Sequence, residues 1–203
     1  MSTSDESDAT TGSPVSEERM LDAGALRALA HPIRVRIFDI LSQYGPQTAS
    51  SLAERLHESS GSTSYHLRAL AKQDLIREVP DRGTGRERWW ERPRGSVAFG
   101  NPDALRTPSG RAATQVVVTE TLNRRHQQLM EFIERGLDPE MDGEWRDSTI
   151  ITTATARLNP EQLRGLSEKI QKLIDEYVTT YRDQTGDGVR PVTIRADLFP
   201  LPE

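Results

Sequence analysis

The sequence predicts an α+β chain. A mostly helical first domain closed by a β-hairpin is followed by a long helix and a small C-terminal strand-helix-strand region. Three observations predict it. Between residues 20 and 73, apolar residues recur at three-and-four spacing in four stretches separated by Pro, Gly or Ser, the period of helices that bury one face. Residues 75–92 then read as strand, turn, strand. Further on, helical spacing returns over 109–136 and 160–183, while 149–158 and 192–198 alternate every second residue, as a strand with one buried face does.

Residues 1–18 hold five acids, no base and almost no large apolar side chain, which predicts a disordered acidic tail. Residues 19–95 form the first domain. Leu21, Ala25, Leu26 and Leu29 mark its first helix. Pro32 sits where a first-turn proline is tolerated, and Ile33, Ile37, Ile40, Leu41 and Tyr44 line a second helix that Gly45-Pro46 stops. Thr48 is a good N-cap for a third, with Ala49, Leu52, Ala53 and Leu56 inward. After a break at Ser59-Ser60-Gly61, a fourth runs from about Ser62 to Gln73 with Leu67, Leu70 and Ala71 inward. Leu75–Val79 and Arg86–Arg92 are the hairpin strands around Pro80–Gly85. Punctuation by Pro and Gly makes 96–108 a linker. Residues 109–203 form the C-terminal region. Its long helix 109–136 carries Val118, Leu122, Leu129 and Ile133 on one stripe with His126, and 138–147 is an acidic loop. The helix from Pro160 places Leu163, Leu166, Ile170, Leu173, Ile174, Tyr177 and Tyr181 on one face.

Composition narrows the function. Of 203 residues, 34% are hydrophobic and 5% aromatic, a lean core that leaves apolar surface for a partner subunit. There is no cysteine, so disulfides, thiolate metal sites and a Cys nucleophile are excluded. No apolar run approaches the ~20 residues of a membrane span, and residues 1–18 lack the basic and apolar regions of a secretory signal; a cytoplasmic protein without a membrane partner is expected. Net charge is −5, yet residues 19–95 carry 13 Lys/Arg against 9 Asp/Glu. A locally basic domain between acidic flanks suits a nucleic-acid binder. No phosphate-binding glycine loop and no His-Glu zinc pair occur, so neither catalytic residues, nor a metal site, nor a cofactor is expected.

Residues 48–75 are the informative stretch: two short helices joined by a tight Ser/Gly turn, the second with small polar and basic groups outward. This is a helix-turn-helix pattern. A helix entering a major groove about 12 Å wide needs slim leading residues that hydrogen bond, and Ser60, Ser62, Thr63, Ser64, Tyr65 and His66 qualify, with Arg68 able to reach a base or a phosphate. Each also has a plainer reading: capping or solvated surface for the hydroxyls, packing for Tyr65, a half-exposed neighbour contact for His66. The hairpin would be a wing, with Arg82, Arg86 and Arg88 near its tip suited to phosphate or the adjacent minor groove. His31 reads as a capping residue, and His126 as a polar core or interface residue.

Residues 24–92 resemble the ArsR-like winged-helix regulators of bacteria. The resemblance rests on Leu29-Ala30-His31-Pro32-Ile33-Arg34-Val35-Arg36-Ile37, on Ser64-Tyr65-His66-Leu67-Arg68-Ala69-Leu70, and on Gly85-Arg86-Glu87-Arg88-Trp89-Trp90. It implies a homodimeric transcription regulator on double-stranded DNA whose operator affinity answers to an unidentified small-molecule effector. Ala49–Leu56 lacks the Cys-containing metal site of the metal-sensing branch. The long helix 109–136 is expected to serve dimerisation. A winged-helix protein-interaction module, and a C-terminal ligand-sensing domain with an accessory winged helix, are the alternative readings.

Overall fold

A computed structural model describes residues 19–80, 82–83, 87–95, 97–136 and 143–202. The chain divides into two compact units, residues 1–132 and 133–203.

The first unit opens with β1 (Arg19–Met20) and α1 (Ala23–Leu29), capped by Asp22, whose carboxylate accepts from the Ala25 N–H at 2.8 Å. In α2 (Pro32–Tyr44) the cap is His31, whose Nδ1 accepts from the Ile33 N–H at 3.2 Å. Then come β2 (Gln47–Thr48) and α3 (Ala49–Leu56), where Thr48 and Ser51 form a reciprocal capping box. The next helix, α4 (Ser60–Ala71), is capped by Ser59. Ser60 and Gly61 therefore belong to the helix, because the Ser59 hydroxyl satisfies the Ser62 N–H and starts it two residues earlier than expected. β3 (Arg77–Val79) and β4 (Trp89–Glu91) pair antiparallel with Glu78 opposite Trp90, and β2 adds a third strand on the far side of β4.

One core holds these elements together. Leu26 and Leu29 of α1, Ile37 and Leu41 of α2, Leu52 and Leu56 of α3, and Leu67 and Leu70 of α4 converge with Leu75, Ile76 and Trp90. Each fully buried Leu contributes roughly 1.5–3 kcal/mol. Arg19 donates to the Gln73 and Asp74 carbonyls, tying β1 to the end of α4.

Within the expected linker 96–108, the described residues pack against the first unit. β5 (Val97–Ala98) pairs parallel with β1, α5 (Pro102–Leu105) follows, and Ala104 is buried. The Pro and Gly punctuation marks tight turns between packed pieces rather than slack chain. α6 (Pro108–Gly136) starts against this segment so closely that a Cβ on Gly110 would lie 2.0 Å from the Ala104 carbonyl oxygen. Only glycine permits that approach. The face of α6 that enters the core is Gly110, Ala113 and Val117. Of the expected stripe, Val118, Leu122 and His126 are exposed, and Leu129 and Ile133 are half-buried.

The second unit contains α7 (Gly143–Asp147), a helical turn within the expected acidic loop, and α8 (Pro160–Tyr181), capped by an Asn159–Gln162 box. The expected strands at 149–158 and 192–198 have no ladder among the described residues. Alternation supplies a strand with a face, but a ladder also needs a neighbouring backbone, and among the described residues none pairs there. The 1–18 tail lies outside the described residues. Among those described, no helix is long and apolar enough to cross a membrane.

Candidate nucleic-acid interface

α4 presents two faces. Inward are Thr63, His66, Leu67 and Leu70, all buried; outward are Ser60, Gly61, Tyr65 and Arg68, all exposed, with Ser62 and Ser64 half-buried beside them. The outward set is the leading edge of an exposed helix, rich in hydroxyls and ending in a guanidinium. Tyr65, 59% exposed, sets its ring edge-on to His66 at 5.3 Å.

Two residues expected on this surface face the core instead. The Thr63 side chain is fully buried, and its Oγ1–H donates to the Ser59 carbonyl at 3.0 Å. The reason is periodicity: Thr63 lies one turn before Leu67 and shares its face. His66 is 6% exposed. Its Nδ1 accepts from Arg34 Nε at 3.4 Å, and its ring lies 4.7 Å from that of His31. Arg34 also donates to the Ala28 carbonyl. His66 thus docks α4 onto the junction of α1 and α2. Burial holds its pKa below the ordinary imidazole value, the charges of His31 and Arg34 lower it further, and Glu58 opposes them. His31 is the cap its position suggested.

The hairpin stands beside α4. Arg88 is exposed at its side chain and lies 3.7 Å from Glu78. The Arg82 guanidinium stacks 4.3 Å above the Trp89 ring. Gly83 has φ +99°, and a Cβ there would lie 2.7 Å from Trp89 Nε1. The bend beside Trp89 therefore requires glycine, and it keeps Arg82 over the ring. Glu78, Glu87 and Glu91 dilute the positive charge of the hairpin. Arg86 lies outside the described residues.

Between α4 and the hairpin runs an open cleft of about 320 Å³, lined by Thr48, Ala49, Ser50, Ser64, Arg68, Glu87, Arg88 and Trp90. It brings Ser64, Arg68 and Arg88 together across two elements. It also adds Ala49 and Ser50, at the start of α3, which sequence reasoning treated only as a helix start. A helix N-terminus carries partial positive charge and free N–H donors, so a capped helix next to a basic one was a usable signal. Lys72, exposed one turn beyond Arg68, is a second cation at the end of the same helix. The surface can accept a polyanion and offers donors and acceptors at its centre. Among the described residues, no three His, Asp or Glu side chains gather to hold a metal ion.

Residues 29–79 match the family model of a helix-turn-helix domain. No curated protein matches the chain. Among solved structures, it is similar to the adhesin competence repressor (AdcR) of Streptococcus pyogenes at 17% identity, over 74% of this chain and 78% of that one. The TM-score of that comparison is 0.32. The matched segment covers α2 to β3, and the β2–β4–β3 sheet completes it. Residues 29–79 are thus a helix-turn-helix domain, closed by the hairpin of the β2–β4–β3 sheet.

Proposed function

We propose that the chain is a sequence-specific transcription regulator, nearest to the ArsR-like type, that acts as a homodimer on a near-palindromic operator. α4 is the recognition helix and enters the major groove. Ser60, Ser62, Ser64, Tyr65 and Arg68 meet base edges and flanking phosphates, with Lys72 on the backbone. The hairpin is the wing, and Arg82, Arg86 and Arg88 follow the phosphates into the neighbouring minor groove.

The observation that carries this reading is the cleft in which Ser64 and Arg68 of α4 face Arg88 of the wing. A phosphate strand needs cations from two sides and hydroxyls between them. The exposed Val118 and Leu122 stripe of α6 supports a second copy as partner, which would set two recognition helices about one helical turn apart. An unidentified small-molecule effector belongs to the same reading through the ArsR-like resemblance.

The test is a gel shift of the purified chain with the DNA upstream of its own gene, at 50 and 200 mM salt, against a shuffled duplex. A salt-sensitive shift specific to the upstream DNA is expected. No binding at either salt, with selection from random duplexes also empty, would overturn the reading.

A further inference from the structure

α8 carries Leu163, Leu166, Ile170, Leu173, Tyr177 and Thr180 at alternating steps of three and four. This is the 3.5-residue repeat of a helix that runs along another helix. Ile174 and Tyr181 widen the same face. No residue of α8 is buried, and Leu173 and Tyr177 are 56% and 53% exposed. A helix of 22 residues is ~33 Å long, and most of the stability of such a helix comes from packing its apolar face.

We propose that α8 packs antiparallel along α8 of a second copy of this chain. The inference deepens the homodimer read above by giving it a seam in the second unit, and it does not depend on DNA.

Two features select that partner and that direction. The first is charge. On the flank of the seam, Lys169 precedes Ile170 and Glu176 precedes Tyr177. Antiparallel alignment sets Lys169 opposite the partner's Glu176 and Glu176 opposite the partner's Lys169. Neither has an ion-pair partner within its own chain among the described residues. A parallel alignment sets Lys169 beside Ile174 and leaves both charges unmatched. The second is volume. The antiparallel layers pair Ile170 with Leu173 and Leu166 with Tyr177, each twice by symmetry. A parallel pair stacks Tyr177 on Tyr177 and leaves Thr180 against Thr180. The outer flank, with Gln171 Nε2 donating to Asp175 at 2.9 Å, is polar and suits solvent.

The test uses the absence of native cysteine. In the full chain carrying L166C and Y177C together, each introduced thiol faces the other type on the partner. The two positions lie ~16 Å apart along one helix, beyond disulfide reach, so any bridge is between chains. Mild oxidation is expected to give a covalent dimer with the double variant and none with L166C or Y177C alone. Charge reversal is the second arm. K169E alone and E176K alone should each weaken self-association about tenfold, and K169E/E176K together should restore it. Sedimentation of the unmodified chain separates the two readings. A dimer whose double-cysteine variant stays uncrosslinked, and whose dissociation constant ignores the charge reversals, overturns the α8 seam and leaves the homodimer. A monomer at all concentrations overturns both. Single-cysteine chains that crosslink as well as the double variant refute the antiparallel direction.

Discussion

Thr63 separates a residue that reads DNA from one that holds the reading helix in place. Its side chain is fully buried, and its hydroxyl donates to the Ser59 carbonyl. That carbonyl also accepts the Thr63 N–H at 3.0 Å, so deleting the hydroxyl strands no acceptor. Thr63→Val keeps volume and branching and removes one hydrogen bond, a loss of about 0.5–1.5 kcal/mol. Thr63→Ala also removes a buried methyl and leaves a small void, bringing the total to roughly 2 kcal/mol. For a unit of this size, each kcal/mol lowers Tm by about 3–6 °C. The assay pairs thermal unfolding with site selection from random duplex DNA at a temperature well below both midpoints. Both variants are expected to melt earlier, Ala further than Val, and to select the same sites as the parent chain. An unchanged Tm with altered base preference would refute the burial of Thr63 and return it to the groove.

Arg68→Ala should relax preference at one or two base positions at a cost of about 1–3 kcal/mol; a selected-site profile identical to the parent's would contradict a base contact. Arg88→Ala should weaken all sequences alike and reduce the slope of log affinity against log salt by about 1, measured by anisotropy titration across salt. Gly61 meets only the Ser59 hydroxyl oxygen, 3.9 Å from a built Cβ, so Gly61→Ala should stabilise the chain by about 0.5–1 kcal/mol yet weaken DNA binding, where a methyl intrudes on the backbone approach. Stability should also fall with acid. The folded state holds the pKa of His66 down, chiefly by burial and then by His31 and Arg34 against Glu58, so the unfolded chain takes the proton first. This contribution is intact above pH ~6.5 and is lost as pH falls from there toward the lowered folded value. Denaturant midpoints between pH 5 and 8 should show the slope in the parent and a flatter one in His66→Gln.

The sequence determined the longer helices by itself, because apolar period and end signals are local. Thr48 before Ala49, Pro32 after His31 and Pro160 after Asn159 each answer the same need of a helix end for donors satisfied nearby. The apolar spacing of α1 to α4 placed Leu26, Leu52 and Leu67 in the core, and the resemblance of 24–92 carried the winged arrangement. The same spacing also put Thr63 and His66 on the inward face with Leu67 and Leu70. Their polarity alone points outward, but period decides the face. Tertiary structure alone decided what depends on distant neighbours. β2 exists only because β4 lies beside it, and β5 because β1 does; a strand of two residues has no sequence signal without its partner. The acceptor for the Thr63 hydroxyl, the His31 ring beside His66, and the carbonyl that forbids a side chain at Gly110 are likewise facts of packing. The alternating segments near 150 and 194 show the converse: pattern prepares a strand, but a ladder forms only where another backbone comes alongside to exchange hydrogen bonds.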